Sequence, residues 1–133
     1  MKKLTKIVSL RDITQRVNNI RHSLSHLLAA AVLKKFPDAR LGIGPVIENG
    51  FYYDFLLAKN LTPEDLRDFE KEIKRLISQR LPFAAKKITV AEAKKLFAGQ
   101  SFKLELIDEY AAEKRPLSIY ETGDVFVDLC AGG

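Results

Sequence analysis

Residues 21–32 read Arg-His-Ser-Leu-Ser-His-Leu-Leu-Ala-Ala-Ala-Val, and from Leu24 to Leu33 the stretch is apolar on nearly every side of a helix. The pattern extends outward: Val17, Ile20, Leu24, Leu27, Leu28 and Ala31 recur at helical spacing from about Thr14 to Phe36, and Pro37 stops it. A helix with so little polar surface has to be central and covered on both faces. The remaining elements supply the cover. Leu41 to Phe55 is rich in β-formers and holds Asn49-Gly50, a dipeptide suited to a two-residue hairpin turn. Thr62-Pro63-Glu64-Asp65 supplies an N-cap, a first-turn proline and first-turn acids, and Leu66, Phe69, Ile73, Leu76 and Ile77 mark the apolar stripe of a second helix ending near Arg80. Phe83–Thr89 reads as a strand, Val90–Phe97 as a short helix, and Phe102–Ile107 as a strand of alternating character. Leu117–Glu121 and Val125–Cys130 read as strands separated by Gly123. The predicted class is α+β, a largely antiparallel sheet packed against a central His-bearing helix and a second long helix.

With 133 residues, 47% hydrophobic and 29% charged, the chain carries one well-formed core. The formal charge of +5 favours an anionic partner without identifying it. The single cysteine, Cys130, cannot form an internal disulfide, which fits a reducing compartment. No run of about 18 apolar residues occurs, and the basic start is followed by Arg11-Asp12 and Gln15-Arg16, so neither a membrane span nor a signal peptide is supported. A cytoplasmic location is expected. Residues 1–20 are read as a leader or linker remnant and 21–133 as the domain proper.

Two half-motifs carry chemistry. His22 and His26 lie four apart, about 40° around a helix, so both imidazoles can converge on one ligand. Such a pair suits zinc or proton transfer, and equally suits two hydrogen-bonded structural histidines. In the last strand, alternation puts Phe126, Asp128 and Cys130 on one face and Val125, Val127 and Leu129 on the other. A carboxylate beside a thiol on an apolar strand needs a polar site to face. A free cysteine, by contrast, is commonly just a small buried side chain. Lys103 and Glu105 are assigned to the solvated polar face of the Phe102–Ile107 strand. Phe51, Tyr52, Tyr53 and Phe55 follow the hairpin turn, where most aromatic rings pack into a core.

The segments 21–32, 43–55 (IGPVIENGFYYDF) and 127–133 (VDLCAGG), with the helix start at 61–65 and the Lys103 segment between them, together resemble the editing domain of bacterial threonyl-tRNA synthetases. That family pairs His-x-x-x-His with a later Cys-x-x-x-His. Cys130 to Gly133 supply the first four positions of the second motif, which puts the expected histidine at position 134, one past the sequence given. The chain thus reads as an editing domain truncated at its C-terminal motif. Alanyl-tRNA editing domains share both half-motifs and generally use them to hold zinc, whereas the bacterial threonyl version is usually regarded as metal-independent.

The resemblance implies hydrolysis of seryl-tRNA(Thr). A threonine-binding site rejects serine only through one missing methyl, about 1 to 3 kcal/mol, so a second site has to remove the mistake. It further implies water held by His22, His26 and Cys130, substrate ordered by Lys103 and Asp128, and a pocket closed by Tyr53. The implied partners are the 3′ end of tRNA(Thr) and the rest of a homodimeric synthetase. No cofactor is expected here, while ATP, magnesium and a zinc ion are expected in the parent's catalytic domain. Two alternatives are a zinc-dependent alanyl-type hydrolase, with His22, His26 and Cys130 as ligands, and a non-catalytic tRNA-binding module with structural histidines.

Overall fold

The computed structural model describes residues 10–131. Its first helix, α1 (Leu10–Lys35), begins earlier than the apolar period indicates and passes unbroken through residue 20, where the sequence was divided. The rest of the leader, residues 1–9, and Gly132-Gly133 of the second motif lie outside the described residues. Ser25 to Val32 are almost wholly buried, as the all-round apolar stretch requires, whereas Val17 and Ile20 stand out in solvent. Their helical spacing continues a stripe that the other described residues leave exposed.

Beyond Pro37 the chain forms a long antiparallel arm. Its outer pair is β1 (Arg40–Leu41) with β4 (Phe55–Leu56), and its inner pair is β2 (Val46–Ile47) with β3 (Gly50–Phe51). Ile47 faces Gly50, so the turn residues are Glu48 and Asn49, one position before the dipeptide that signals it. Neither Asn49 nor Gly50 takes a positive φ.

Helix α2 (Pro63–Ser78) starts with a capping box. The Thr62 hydroxyl accepts from the Asp65 amide, and the Asp65 carboxylate accepts from the Thr62 amide. Phe69 and Leu76 are buried against α1, but Leu66 and Ile77 are more than half exposed, so only part of the predicted stripe packs. Lys35, in the last turn of α1, pairs with Asp65 at 2.6 Å and with Asp68, and Lys34 pairs with Glu72 at 3.0 Å. These contacts fasten the end of α1 to α2.

The three-stranded sheet follows: β5 (Phe83–Ile88), β6 (Leu117–Thr122) and β7 (Phe126–Ala131), antiparallel, with β6 in the middle. Between β5 and β6 stand α3 (Val90–Leu96), capped by Thr89, and α4 (Ser101–Ala112). Helix α4 corrects the sequence expectation of a strand at Phe102–Ile107. The alternation there spans only six residues, while Lys103, Ile107 and Tyr110 form a helical stripe in a run of good helix formers extending to Ala112.

Register assigns the sheet's faces. Tyr120 opposes Asp128 and Ser118 opposes Cys130, whereas Ile119 opposes Leu129 and Leu117 opposes Ala131. Ile119, Leu117 and Leu129 pack with Ala93, Phe97 and Ile107 of the α3–α4 side. Phe126 joins Leu27, Ala29, Ala30, Leu41 and Tyr53 on the α1 side. The sheet therefore lies between α1 and the α3–α4 pair. Among the described residues no helix is long and apolar enough to cross a membrane.

Candidate hydrolytic site between the first helix and the sheet

Helical spacing turns His22 and His26 to one side of α1, and strand alternation turns Asp128 and Cys130 toward them from β7. The imidazole rings meet edge to face with centroids 4.4 Å apart. His22 Nε2 lies 3.6 Å from Cys130 Sγ, although 108 positions separate the two residues. The ligand-type atoms of His22, His26 and Cys130 all lie within 4.8 Å of one another. A cavity of about 390 Å³ opens on this cluster, lined also by Gly44, Pro45, Val46, Lys103, Tyr110 and Asp128.

Behind the histidines sits a closed polar network. Asp128 Oδ1 accepts from Lys103 Nζ at 2.7 Å and from the Leu129 amide at 2.8 Å. Its Oδ2 accepts from the Tyr53 hydroxyl at 2.8 Å and faces His26 Nε2 at 3.2 Å. Four donors on two oxygens use the carboxylate's full accepting capacity. Asp128 is 4% exposed and Lys103 1%, so the charges compensate each other out of water.

Burial raises the Asp128 carboxyl, but the hydrogen bond with His26 and the Lys103 charge outweigh it and hold the group below the usual carboxylate range. An ionised carboxylate only accepts, so the shared proton sits on His26 Nε2. His22 is partly exposed, and its pKa is lowered by burial and then by His26, against the pull of Asp128. It is a neutral imidazole at pH 7. Burial, and next Asp128, push the Cys130 thiol up to about 12, so it stays protonated. The Tyr53 phenol is raised far above its usual range, by burial first and Asp128 second.

The structure thus brings the six residues singled out in the sequence to one place. Two of them stand differently from expectation. Lys103 belongs to no solvated strand face: helix α4 delivers its ammonium to a buried carboxylate. Tyr53 does not close the cavity mouth. It is buried, stacked on Phe55 with centroids 4.9 Å apart, and holds Asp128 from behind.

Sequence reasoning missed Gly44 and Tyr120. A Cβ on Gly44 would stand 2.2 Å from the Tyr53 ring, so only glycine lets the cavity wall close over that ring. The Gly-Pro pair at 44–45 signals a turn but not this approach. Tyr120 packs its ring 4.8 Å from that of His22, and only the β6–β7 register reveals it. Arg21 donates to the Ile47 carbonyl at 3.3 Å and the Glu48 carbonyl at 2.8 Å, tying the β2–β3 turn to α1 beside His22. A second cavity, of about 300 Å³, opens on the other side of the histidine pair and is lined by Asn19, Ser23, Phe83, Ala84, Ala85 and Tyr120.

No family model matches the chain. Among curated proteins, the threonine–tRNA ligase of Dehalococcoides mccartyi strain CBDB1 is 50% identical over 113 residues, 85% of this chain and 19% of the relative. Threonine–tRNA ligase 1 of Bacillus subtilis strain 168 is 48% identical over 115 residues, again 85% of the chain and 18% of the relative. That of Thermotoga petrophila is 45% identical over 130 residues, 96% of the chain and 20% of the relative. The chain spans about a fifth of the length of the relatives it matches. By sequence, then, it is homologous to one segment of bacterial threonine–tRNA ligases, the family that its segments 21–32, 43–55 and 127–133 together resemble.

Proposed function

We propose that this chain is the editing module of a threonine–tRNA ligase, releasing serine from mischarged tRNA by hydrolysis of the ester. The observation that carries the reading is the convergence of His22, His26 and Cys130 on one cavity, backed by the buried Asp128–Lys103 pair. His22 is neutral and partly exposed, and it is His26 rather than His22 that engages the Asp128 carboxylate directly, which suits His22 to act as a general base. Cys130 stays a thiol, a poor nucleophile, which favours water as the attacking group. Water adds to the ester carbonyl as His22 takes its proton. The tetrahedral intermediate then collapses, and the ribose oxygen leaves with the proton that His22 returns. Asp128, held by Lys103 and Tyr53, fixes the orientation and tautomer of His26, and these three are positioning residues. The anionic partner suited to the +5 charge is the tRNA, presented by the remainder of a ligase that uses ATP.

The test is single-turnover deacylation of seryl-tRNA(Thr) with protein in excess. His22→Ala is expected to slow serine release by about 10²- to 10⁴-fold, the usual contribution of a positioned acid-base group, with tRNA binding retained. Because the His22 pKa is lowered, the rate holds as pH falls from 8 and is lost only as pH drops through a midpoint below 6.5. An unaltered rate in the variant removes His22 from the chemistry. Normal tRNA binding without release by the unmodified protein points instead to a binding module.

The close spacing of the three donors favours a second reading, a zinc-dependent alanyl-type hydrolase. His22, His26 and Cys130 would hold the ion, which would supply a bound water of lowered pKa. Structural zinc usually takes four ligands, and three donors converge among the described residues. Protein purified without chelator is expected to contain no stoichiometric zinc. One tightly held ion per chain transfers the assignment to the metal-dependent branch.

A further inference from the structure

Helix α4 has two working faces. One turns Lys103 and Ile107 inward. The other carries Phe102, Glu105, Leu106 and Glu109, also at helical spacing, and forms one wall of a groove whose opposite wall is Gly42, Ile43 and strand β4. The groove holds about 430 Å³, against about 390 Å³ for the cavity over the histidines. We infer that it is a docking surface for another part of the ligase polypeptide, a segment presenting an apolar stripe flanked by lysine or arginine. The inference rests on the family relationship and not on the editing chemistry.

Specific contacts hold the two walls in place. Along the arm the Gly42 amide donates to the Asp54 carbonyl at 2.8 Å, and the Asp54 amide donates to the Ile43 carbonyl at 2.9 Å. At the start of α4, Arg40 donates to the Ser101 hydroxyl at 2.7 Å and the Leu41 amide donates to the Gln100 side chain at 2.8 Å, which fixes the arm against the helix. Between these walls apolar surface is left in water. Ile43 is 45% exposed, Leu56 55% and Phe102 37%, and Phe55 and Leu106 are half-buried. Covering a joined apolar surface of this kind recovers hydrophobic energy that scattered exposed side chains do not offer.

The charge of the groove identifies what covers it. Its ionisable groups are Asp54, Glu105 and Glu109, all acidic, in a chain whose formal charge is +5. Among the described residues none of these three forms an ion pair, whereas Asp65, Asp68, Glu70 and Glu72 of α2 are each matched by a lysine or arginine. Carboxylates repel phosphate, so this surface disfavours tRNA and favours a cationic partner. An occupant that fills apolar walls and meets three carboxylates is a basic amphipathic stretch of polypeptide. About four-fifths of each relative lies outside the part that this chain matches, which supplies such a stretch on the same molecule. Tethering raises its effective concentration, so a groove of modest size suffices. Ile43 and Leu106 also line the cavity over the histidines, and Phe55 stacks on Tyr53, so the docked segment rests against the back of the site's own wall.

Two measurements test the groove and its occupant, and neither depends on serine release. The first follows, by anisotropy, a short labelled amphipathic peptide of leucine and lysine as it binds the 133-residue chain. Glu105→Lys/Glu109→Lys is expected to weaken binding by about 10-fold or more, because like charges then face each other across the interface. Asp38→Lys/Asp124→Lys makes the same charge change on exposed acids that do not line the groove and is expected to leave binding nearly unaltered. A peptide with glutamate in place of lysine is expected not to bind. Circular dichroism confirms that each variant is folded. Equal losses in the two double variants, no loss in the first, or no binding by the unmodified chain overturns the docking surface. The second measurement replaces Phe102 by photoreactive benzoylphenylalanine in the complete ligase and maps the cross-links by mass spectrometry. A cross-link to a lysine- or arginine-bearing apolar segment of the ligase beyond the matched part is expected. Cross-linking only to a separate protein, or to no part of the ligase outside these residues, overturns the assignment of the occupant.

Discussion

Asp128 shows how a single side chain can be legible from two directions. In the sequence it is a carboxylate on an apolar strand next to Cys130, and that mismatch alone demands a polar neighbour. In the structure the demand is met by four donors, from Lys103, Tyr53, His26 and the Leu129 amide. Lys103 carries no such signal, because a lysine in an alternating stretch reads as solvated and nothing local reveals that its ammonium meets a buried acid. Its energetic role is open to measurement. Lys103→Met keeps most of the volume but leaves Asp128 charged, buried and short of one donor, so urea unfolding is expected to show a loss of about 3 to 5 kcal/mol. The double variant Lys103→Met/Asp128→Asn is expected to lose less than the sum of the single changes, since the pair shares one interaction. Strict additivity would mean that the two groups do not depend on each other.

At the scale of elements, the sequence predicted the helices and strands that have their own start and stop signals. Helix α2 begins at the capping box announced by Thr62 and Asp65, α3 begins at Thr89 with Glu92, and β6 and β7 are parted at Gly123, which takes a φ of 51°. Helix α4 was misread because its N-cap, Gln100, makes no capping bond: its side chain is spent on the Leu41 amide and the Ala39 carbonyl. Such a start has no local signature. The stretch from Leu41 to Phe55 reads as a hairpin, but its close fit to Tyr53 depends on packing between residues nine positions apart, which no periodicity reports. That fit can be tested with one methyl. Gly44→Ala sets a carbon 2.2 Å from a ring already held by Phe55, Asp128 and Lys103, so either the cavity wall or the ring must move. The expected cost is about 1 to 3 kcal/mol in unfolding free energy, with slower serine release from a displaced Tyr53–Asp128 contact. A variant as stable and as active as the parent would show that the wall is free to shift.

For the whole molecule, the arrangement of the site follows from the order of its layers. The sheet separates an α1 side, which carries the histidines, from an α3–α4 side, which is apolar except where Lys103 reaches Asp128. Helix α1 and strand β7, far apart in sequence, meet at His22, His26 and Cys130. The sequence supplied the residues, and the fold explains their division into groups that face the cavity and groups that brace them. The resemblance implies one more imidazole at position 134, and such a group is expected to act on rate more than on binding. The central claim is that this fold removes serine and spares threonine. The deciding measurement sets seryl-tRNA(Thr) against threonyl-tRNA(Thr), each with excess protein at low salt, using the 133-residue chain and a form extended by a histidine at 134. Serine is expected to be released far faster than threonine, and the extended form to exceed the shorter one by about 10²- to 10⁴-fold. An extended, folded protein that binds the mischarged tRNA yet releases both amino acids equally, or neither, would contradict the account.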